Sequence, residues 1–453
     1  DAGSGDNSIA ASTGDHHSIV ASNGNDSISL TNNTSDTIDA GDGNNKITVN
    51  GGDHNQITTG SNDDDITVSS SSHHNTINAG AGTNNLTIAG YHNDVVSGTG
   101  DDHITVSGSD NTISSGNGAD SITVSGNHNT IDAGDGDDRI TITGNRNTVD
   151  AGIGDNGVTV TTGGQNSIVA SIGNDTVSLN SSTSDTVNAG DGNNKITVDG
   201  GDHNQITTGS NDDDITVSSS SHHNTINAGN GNNNLTIAGH YNDVVSGTGD
   251  DHITVSGSYN TVDAGDGANV LTVSGGSNSI VSGSGADVIT VSGTDNTVHS
   301  GDGNDNITIS GTDNHIYGEA GDDNINQISD GDNYIDGGSG ADHITVPNGN
   351  HWLVDGNNGN DTITVGNKNS SIYGGGDNDS IVGNDDNYIH GGYGGYIAST
   401  LSGHPIPADY TDIGYTGPTS HTADGSDTIQ VNDRNHVWGN DGADKITARN
   451  NNT

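Results

Sequence analysis

Residues 115–152 read SGNGADSITVSGNHNTIDAGDGDDRITITGNRNTVDAG, and in them Gly116, Gly134 and Gly152 open equivalent segments 18 residues apart. Each unit divides into two unlike nines, G-x-G-x-D-x-I-T-V and then x-G-x-x-N-x-I/V-x-A/S, the second resembling a degenerate copy of the first with Asn in place of Asp. Ile140, Ile142, Val149 and Ala151 would point one way and Thr141 the other, and alternation of period two belongs to a strand. Gly, Asn and Asp between the strands supply turns with positive φ. Two short strands and two tight turns per unit describe one coil of a flattened parallel β-solenoid.

Spacings of 17 to 20 carry the pattern in both directions through 23 units, from first positions Gly3 and Ser22 to Gly375, Ala423 and Asn440, with one insertion. Residues 3–151 recur at 152–300 with an offset of 149, irregular spacings included, which points to a block duplication. The expected fold is therefore all-β: a right-handed parallel β-roll or β-solenoid of about 18–19 residues per coil and about 23 coils. At ~4.8 Å per coil it would measure roughly 110 Å. Residues 1–392 are expected to be continuous solenoid, 393–422 an inserted loop and 423–453 the final coils.

The composition argues the opposite. Sixty Asp and Glu stand against 8 Lys and Arg, a net charge of −52, and only 26% of residues are hydrophobic. Such a chain stays disordered unless something neutralises it, yet a disordered chain has no reason to keep Ile and Val in strict phase. The acidity excludes nucleic acid and anionic membrane as electrostatic partners. No apolar run is long enough to insert into a membrane. The absence of Phe, Met and Cys suits a thin core of small aliphatics and removes disulfides and thiolate metal sites. The opening residues DAGSGDNSIAAS lack the basic and apolar regions of a signal peptide, so the chain is expected to be a segment of a longer protein or a mature form.

Each first nine sets a glycine-rich turn before an Asp, as in AGDGDDRITI, where Asp138 is the fifth residue counted from Gly134. In a parallel solenoid those carboxylates stack one coil apart and repel unless a cation lies between them. Carboxylate and carbonyl oxygens without His or Cys in register are a hard-cation donor set, which means Ca²⁺. A full set of about 22 inter-coil ions would supply roughly +44 against −52, so folding and loading would be coupled.

The stretches AGDGDDRIT, SGTGDDHIT, SGSGADVIT, SGDGNDNIT and GGSGADHIT resemble the nonapeptide G-G-x-G-x-D-x-U-x of the RTX, or repeats-in-toxin, family, U being a large aliphatic residue. The resemblance implies a calcium-bound β-roll, exported by a bacterium through a type I system and folding outside the cell. It implies as metal ligands Asp26, Asp64, Asp102, Asp120, Asp138, Asp175, Asp213, Asp251, Asp287, Asp305, Asp323, Asp342, Asp361, Asp379, Asp427 and Asp444, shared between coils together with glycine-turn carbonyls. The pattern departs from the family in two ways. The second turn (SGNHNTIDA, TGNRNTVDA) has Asn for Asp, so calcium should line one edge and an Asn ladder the other, Asn tolerating left-handed backbone. On the calcium edge itself Asn7, Asn45, Asn84, Asn156, Asn194, Asn233 and Asn269 replace Asp, and an Asp-over-Asn gap should bind more weakly for want of one charge.

Other features are secondary. Outward Thr from Thr48 to Thr364 form a row of the kind found on ice-binding faces, although β-propensity alone explains Thr there. The pairs His16-His17, His73-His74 and His222-His223 read as solvated turn residues rather than a Zn²⁺ or Ni²⁺ site. From Tyr317 aromatic residues enter the second strand (Tyr334, Trp352, Tyr373, Tyr388, Trp438), and with the Tyr- and Pro-rich 393–422 segment they are where a partner or glycan would be sought. No catalytic constellation stands out, and the chain is not expected to be an enzyme. The expected function is an extracellular calcium-binding structural repeat of a surface layer, sheath, filament or adhesin, partnered by calcium and by itself or a cell-surface glycan or protein. The rivals are an ice- or glycan-binding adhesin segment and the RTX accessory module of a secreted enzyme.

Overall fold

The computed structural model describes residues 1–347, 353–366, 370–384, 387–392, 426–431, 435–439 and 443–448. The expected 393–422 insertion, Trp352 and much of 423–453 lie outside the described residues. Two compact units make up the chain, Asp1–Thr248 and Gly249–Thr453.

Each unit is a parallel β-solenoid, as the repeat predicts, and no helix occurs among the described residues. In the first unit, first-half strands such as Ser121–Val124, Arg139–Ile142 and Gly157–Val160 pair in parallel with their equivalents one coil away, Ile122 on Ile140 on Val158. Second-half strands such as Thr130–Asp132 and Thr148–Asp150 form the facing sheet. The second unit repeats this with His252–Val255 to Lys445–Ala448 in one sheet and Thr261–Asp263 to His436–Trp438 in the other. Partners are 17 to 20 residues apart where no insertion intervenes.

The core lies between the two sheets. Ile140, Ile142, Val149 and Ala151 are each at most 1% exposed, and the same four positions are buried coil after coil. Burial of one such aliphatic stabilises by about 1.5–3 kcal/mol. Every strand edge inside a unit is covered by the next coil, so backbone N–H and C=O groups are used without a thick interior.

One expectation about the second turn is corrected. The left-handed residue there is not the Asn but the one before it, His128 (φ 56°) before Asn129 and Arg146 (φ 55°) before Asn147. This conformation costs a non-glycine residue about 1–2 kcal/mol. It is held because it turns the following Asn inward, where that residue is 1% exposed and hydrogen-bonded.

Candidate metal centre

The fifth residue of each coil is delivered by the glycine turn. Gly134 (φ 92°) and Gly136 (φ 145°) carry the chain through backbone that side chains disfavour, and Asp138 follows immediately before the strand Arg139–Ile142. The sheet register then stacks the fifth residues, which hydrogen-bond in a ladder. The N–H of Asp102 donates to Asp120 Oδ1 at 2.7 Å, Asp120 to Asp138 at 2.8 Å, and Asp138 to Asn156 at 3.0 Å. In the second unit the ladder runs Asp287, Asp305, Asp323, Asp342, Asp361, Asp379, Asp427 and Asp444, with bonds of 2.8–3.1 Å.

All sixteen Asp singled out in the sequence occupy this row of their own unit, but their neighbours differ. In the first unit Asp102, Asp120 and Asp138 follow one another directly, while Asp26, Asp64, Asp175 and Asp213 alternate with Asn. In the second unit only Asp251 has Asn269 as its next neighbour.

One carboxylate oxygen is thus committed to the ladder. The other, Oδ2, is buried without a hydrogen-bond partner in Asp26, Asp64, Asp102, Asp120, Asp138, Asp175 and Asp213, and in Asp287, Asp305, Asp323, Asp342 and Asp361. The groups beside it are acceptors too. A Cβ built on Gly337 would stand 2.5 Å from Asp342 Oδ2 and 3.0 Å from the carbonyl oxygen of Gly356 in the next coil, so glycine leaves open a space lined by both oxygens. Where Ser or Thr replaces that glycine, its hydroxyl stands between two acceptors: Ser115 Oγ donates to Ala133 O at 2.8 Å and Ser300 Oγ to Gly318 O at 2.8 Å. Ser97 beside Asp102 and Thr59 beside Asp64 pull those carboxyls down against the rise that burial causes.

A buried carboxylate oxygen without a donor holds a proton or a cation. Burial is the main cause that pushes Asp138 up to about 7 and Asp323 to about 7, opposed by the ladder N–H and reinforced by the neighbouring charges of Asp120 and Asp305 respectively. Asp361 goes to about 8, with Asp379, Asp342 and Asp355 adding repulsion after burial. Among the described residues no three His, Cys, Asp or Glu side chains converge on a metal-sized site. A cation in this row would have to draw most of its ligands from backbone carbonyls, and that oxygen-only donor set fits Ca²⁺.

The opposite edge shows what a satisfied row looks like. Asn129 Oδ1 accepts the Asn111 N–H at 2.9 Å, and its Nδ2 donates to Gly108 O at 3.0 Å; Asn147 repeats this with Asn129 and Gly126. Two acids interrupt this ladder and both have donors. Asp36 takes Asn33 Nδ2 at 2.8 Å and faces His17 Nδ1 at 3.1 Å, while Asp185 takes Ser182 Oγ.

The His pairs stack coil on coil rather than converging: His74 lies 5.1 Å from His54 and 5.0 Å from His92, and His222 lies 5.3 Å from His240. In the second unit the second-strand rings also stack, His390 lying 5.0 Å from Tyr373 and 4.6 Å from Trp438. The outward Thr row is in register, Thr105 on Thr123 on Thr141 on Thr159, but Ser178, Asn326 and Val382 interrupt it.

Two acids of this region were not anticipated. Asp336 and Asp355 pair in register in the second sheet, and their charges reach the fifth-position row, where they add to burial, Asp336 raising Asp342 and Asp355 raising Asp361. Burial raises both, Asp355 to about 8, with the Asp336 charge adding to it. Tyr334 Oη donates to Asp336 Oδ2 at 3.1 Å. Their sequence signal is an Asp directly before the glycine run, Asp336-Gly337-Gly338 and Asp355-Gly356.

Two family models match separate stretches of the chain. A family described as a protein of unknown function (DUF3060) matches residues 96–141 and 255–307. The RTX calcium-binding nonapeptide repeat model, in four copies, matches residues 310–326, 329–350 and 355–389. No curated protein matches the chain. The switch falls where Gly318, Gly337, Gly356 and Gly374 replace the Ala, Ser or Thr that stand five residues before every earlier fifth-position Asp or Asn, completing the G-G-x-G-x-D pattern or its near variants. Within residues 310–389, this chain is similar to RTX calcium-binding nonapeptide repeats.

Proposed function

We propose that this chain is an extracellular, non-catalytic calcium-binding structural repeat, secreted by a bacterium, that folds on meeting calcium and assembles into a surface layer, sheath, filament or adhesin. The observation that carries the reading is the row of buried Oδ2 atoms without donors, such as those of Asp138, Asp323, Asp342 and Asp361. Those oxygens, with carbonyls of the glycine turns, would hold Ca²⁺. The ion supplies positive charge and takes up oxygen lone pairs that nothing in the chain satisfies. The chain's own part is to hold each carboxylate by its ladder bond so that Oδ2 stays inside the stack. Weak calcium sites of the extracellular kind bind at about 10⁻⁴–10⁻³ M, which keeps them empty in cytosol and filled outside.

The test is far-ultraviolet circular dichroism with millimolar calcium and with excess chelator, beside electron micrographs of the same samples. A marked fall of the β spectrum on chelation and ordered arrays on calcium addition support the reading. An unchanged spectrum in chelator would sink calcium-coupled folding, and dispersed particles in calcium would sink assembly.

A further inference from the structure

Seven coils carry Asn where the others carry Asp, and their amides do something specific. Asn45 Nδ2 donates to the Gly41 and Gly43 carbonyls at 2.9 Å each, and Asn194 Nδ2 to Gly190 and Gly192 at 3.0 Å each. Asn156 reaches Gly152 at 3.2 Å and Gly154 at 3.1 Å; Asn269 reaches Gly265 at 3.1 Å and, in the next coil, Ser282 O at 3.0 Å. Their Oδ1 atoms take the same ladder bond as an Asp, as Asn156 does from Asp138. The two kinds of coil therefore differ at one atom. Where Asp138 places a bare buried Oδ2, Asn156 places an N–H₂ whose hydrogens are already shared with turn carbonyls.

We infer that each fifth-position Asn is a built-in substitute for one calcium ion, so that calcium enters only the coils with Asp. The inference rests on the calcium reading above and deepens it. An amide nitrogen is no calcium ligand, and an ion in an Asn coil would have to displace the amide from the carbonyls it needs. A second feature of the sequence runs in parallel. The residue five positions before the fifth-position Asn is Ala in all seven coils, whereas before Asp it is Ser, Thr or Gly in thirteen of sixteen. A further oxygen or added room thus accompanies the carboxylate and not the amide.

The consequence is a pattern of loading. The first unit would take one ion in about every second coil, except at Asp102, Asp120 and Asp138, and the second unit one in nearly every coil from Asp287 onward. The full chain would hold at most about sixteen ions, one per fifth-position Asp. Folding of the Asn coils would be independent of calcium.

The experiment is calcium titration of the full chain by calorimetry and native mass spectrometry, with melting in excess chelator measured on the same variants. Asn156→Asp should add one ion and lower the chelator melting temperature. Asp120→Asn should remove one ion and raise that temperature. Asp120→Ala should remove one ion without raising it, since alanine brings no amide. A wild-type count near 22, or Asn156→Asp folding with an unchanged count, overturns the substitution. Absence of any calcium binding by the wild type defeats the calcium reading instead. In that case the chelator arm still decides the amide's role, which fails if Asp120→Asn melts no higher than wild type.

Discussion

The coils around Asn156 and Asn194 and those around Asp323, Asp342 and Asp361 share one backbone plan and meet the same difficulty in opposite ways. A glycine turn aims carbonyl oxygens at a point that the next coil covers. In the first unit, alternate coils bring their own donor, the Asn amide, and the intervening Asp are spaced by two coils. From Asp287 onward the carboxylates follow one another, the Oδ2 atoms of Asp323, Asp342 and Asp361 have no donor from the chain, and position-zero glycines open the space beside them from Gly318. Spacing cations by two coils instead of one halves their mutual repulsion. The first solution depends less on the solvent; the second makes folding contingent on it.

The largest expected effect breaks that symmetry outright. In excess chelator, hydrogen exchange should become much faster across residues 318–384 than around Asn156 and Asn194, because the former would lose a cation from every coil and the latter only from the intervening Asp coils. Uniform loss or uniform retention in both regions would show that the δ2 atom does not decide local stability.

Acid should reverse the contrast. Asp323 and Asp361 are raised to about 7 and about 8 from 3.8, chiefly by burial. A carboxyl with a raised folded pKa binds its proton more tightly when folded. Its contribution is therefore present below about pH 4 and is lost as pH rises through 7 to 8. Calcium-free protein should accordingly melt higher at pH 4 than at pH 8, the gain lying mainly in the second unit, and calcium should abolish the slope. A calcium-free melting temperature that climbs with pH would mean these carboxylates have donors after all.

A third expectation concerns the glycines. Gly356→Ala would set a methyl against Asp361 Oδ2 and the Gly374 carbonyl, and should cost one bound ion and about 1–3 kcal/mol of the calcium-bound stability. Ala151→Gly, the reverse change before Asn156, should cost about 1 kcal/mol through backbone entropy and leave the calcium count alone. Equal effects on the calcium count would separate position zero from the metal site.

What the sequence discloses follows from what repeats. The period placed both sheets, the alternation placed Ile140, Ile142 and Val149 inside, and the Asp column placed the candidate ligands, because all three are properties of every coil. Less legible was anything set by a single atom. Asn and Asp look interchangeable in a fifth position until the Asn156 amide is seen on its carbonyls. The Ala, Ser, Thr or Gly five residues earlier reads as mere small-residue packing, although Ala stands before all seven fifth-position Asn and before only three of the sixteen Asp. Asp336 and Asp355 were overlooked because their significance lies in the coil stacked beside them. The left-handed residue before Asn129 was misassigned because the preference of Asn for that conformation outweighed the need to turn its side chain inward.

The smallest expected effect tests whether the two regions differ anywhere else. Thr141 stands in register between Thr123 and Thr159 on the outer face, half-buried by its neighbours. Thr141→Ser removes one methyl from that row and should lower stability by no more than about 0.5 kcal/mol, with or without calcium. In the second unit Asn326 sits between Thr308 and Thr345 in the same row, and Asn326→Thr should raise stability by a few tenths of a kcal/mol, again regardless of calcium. Both changes lie on the face turned away from the core and should leave the ion count unaltered. If either shifted the calcium titration, the outer sheet would be coupled to the glycine edge, and the contrast between amide and carboxylate coils would be a property of the whole coil instead of one buried atom.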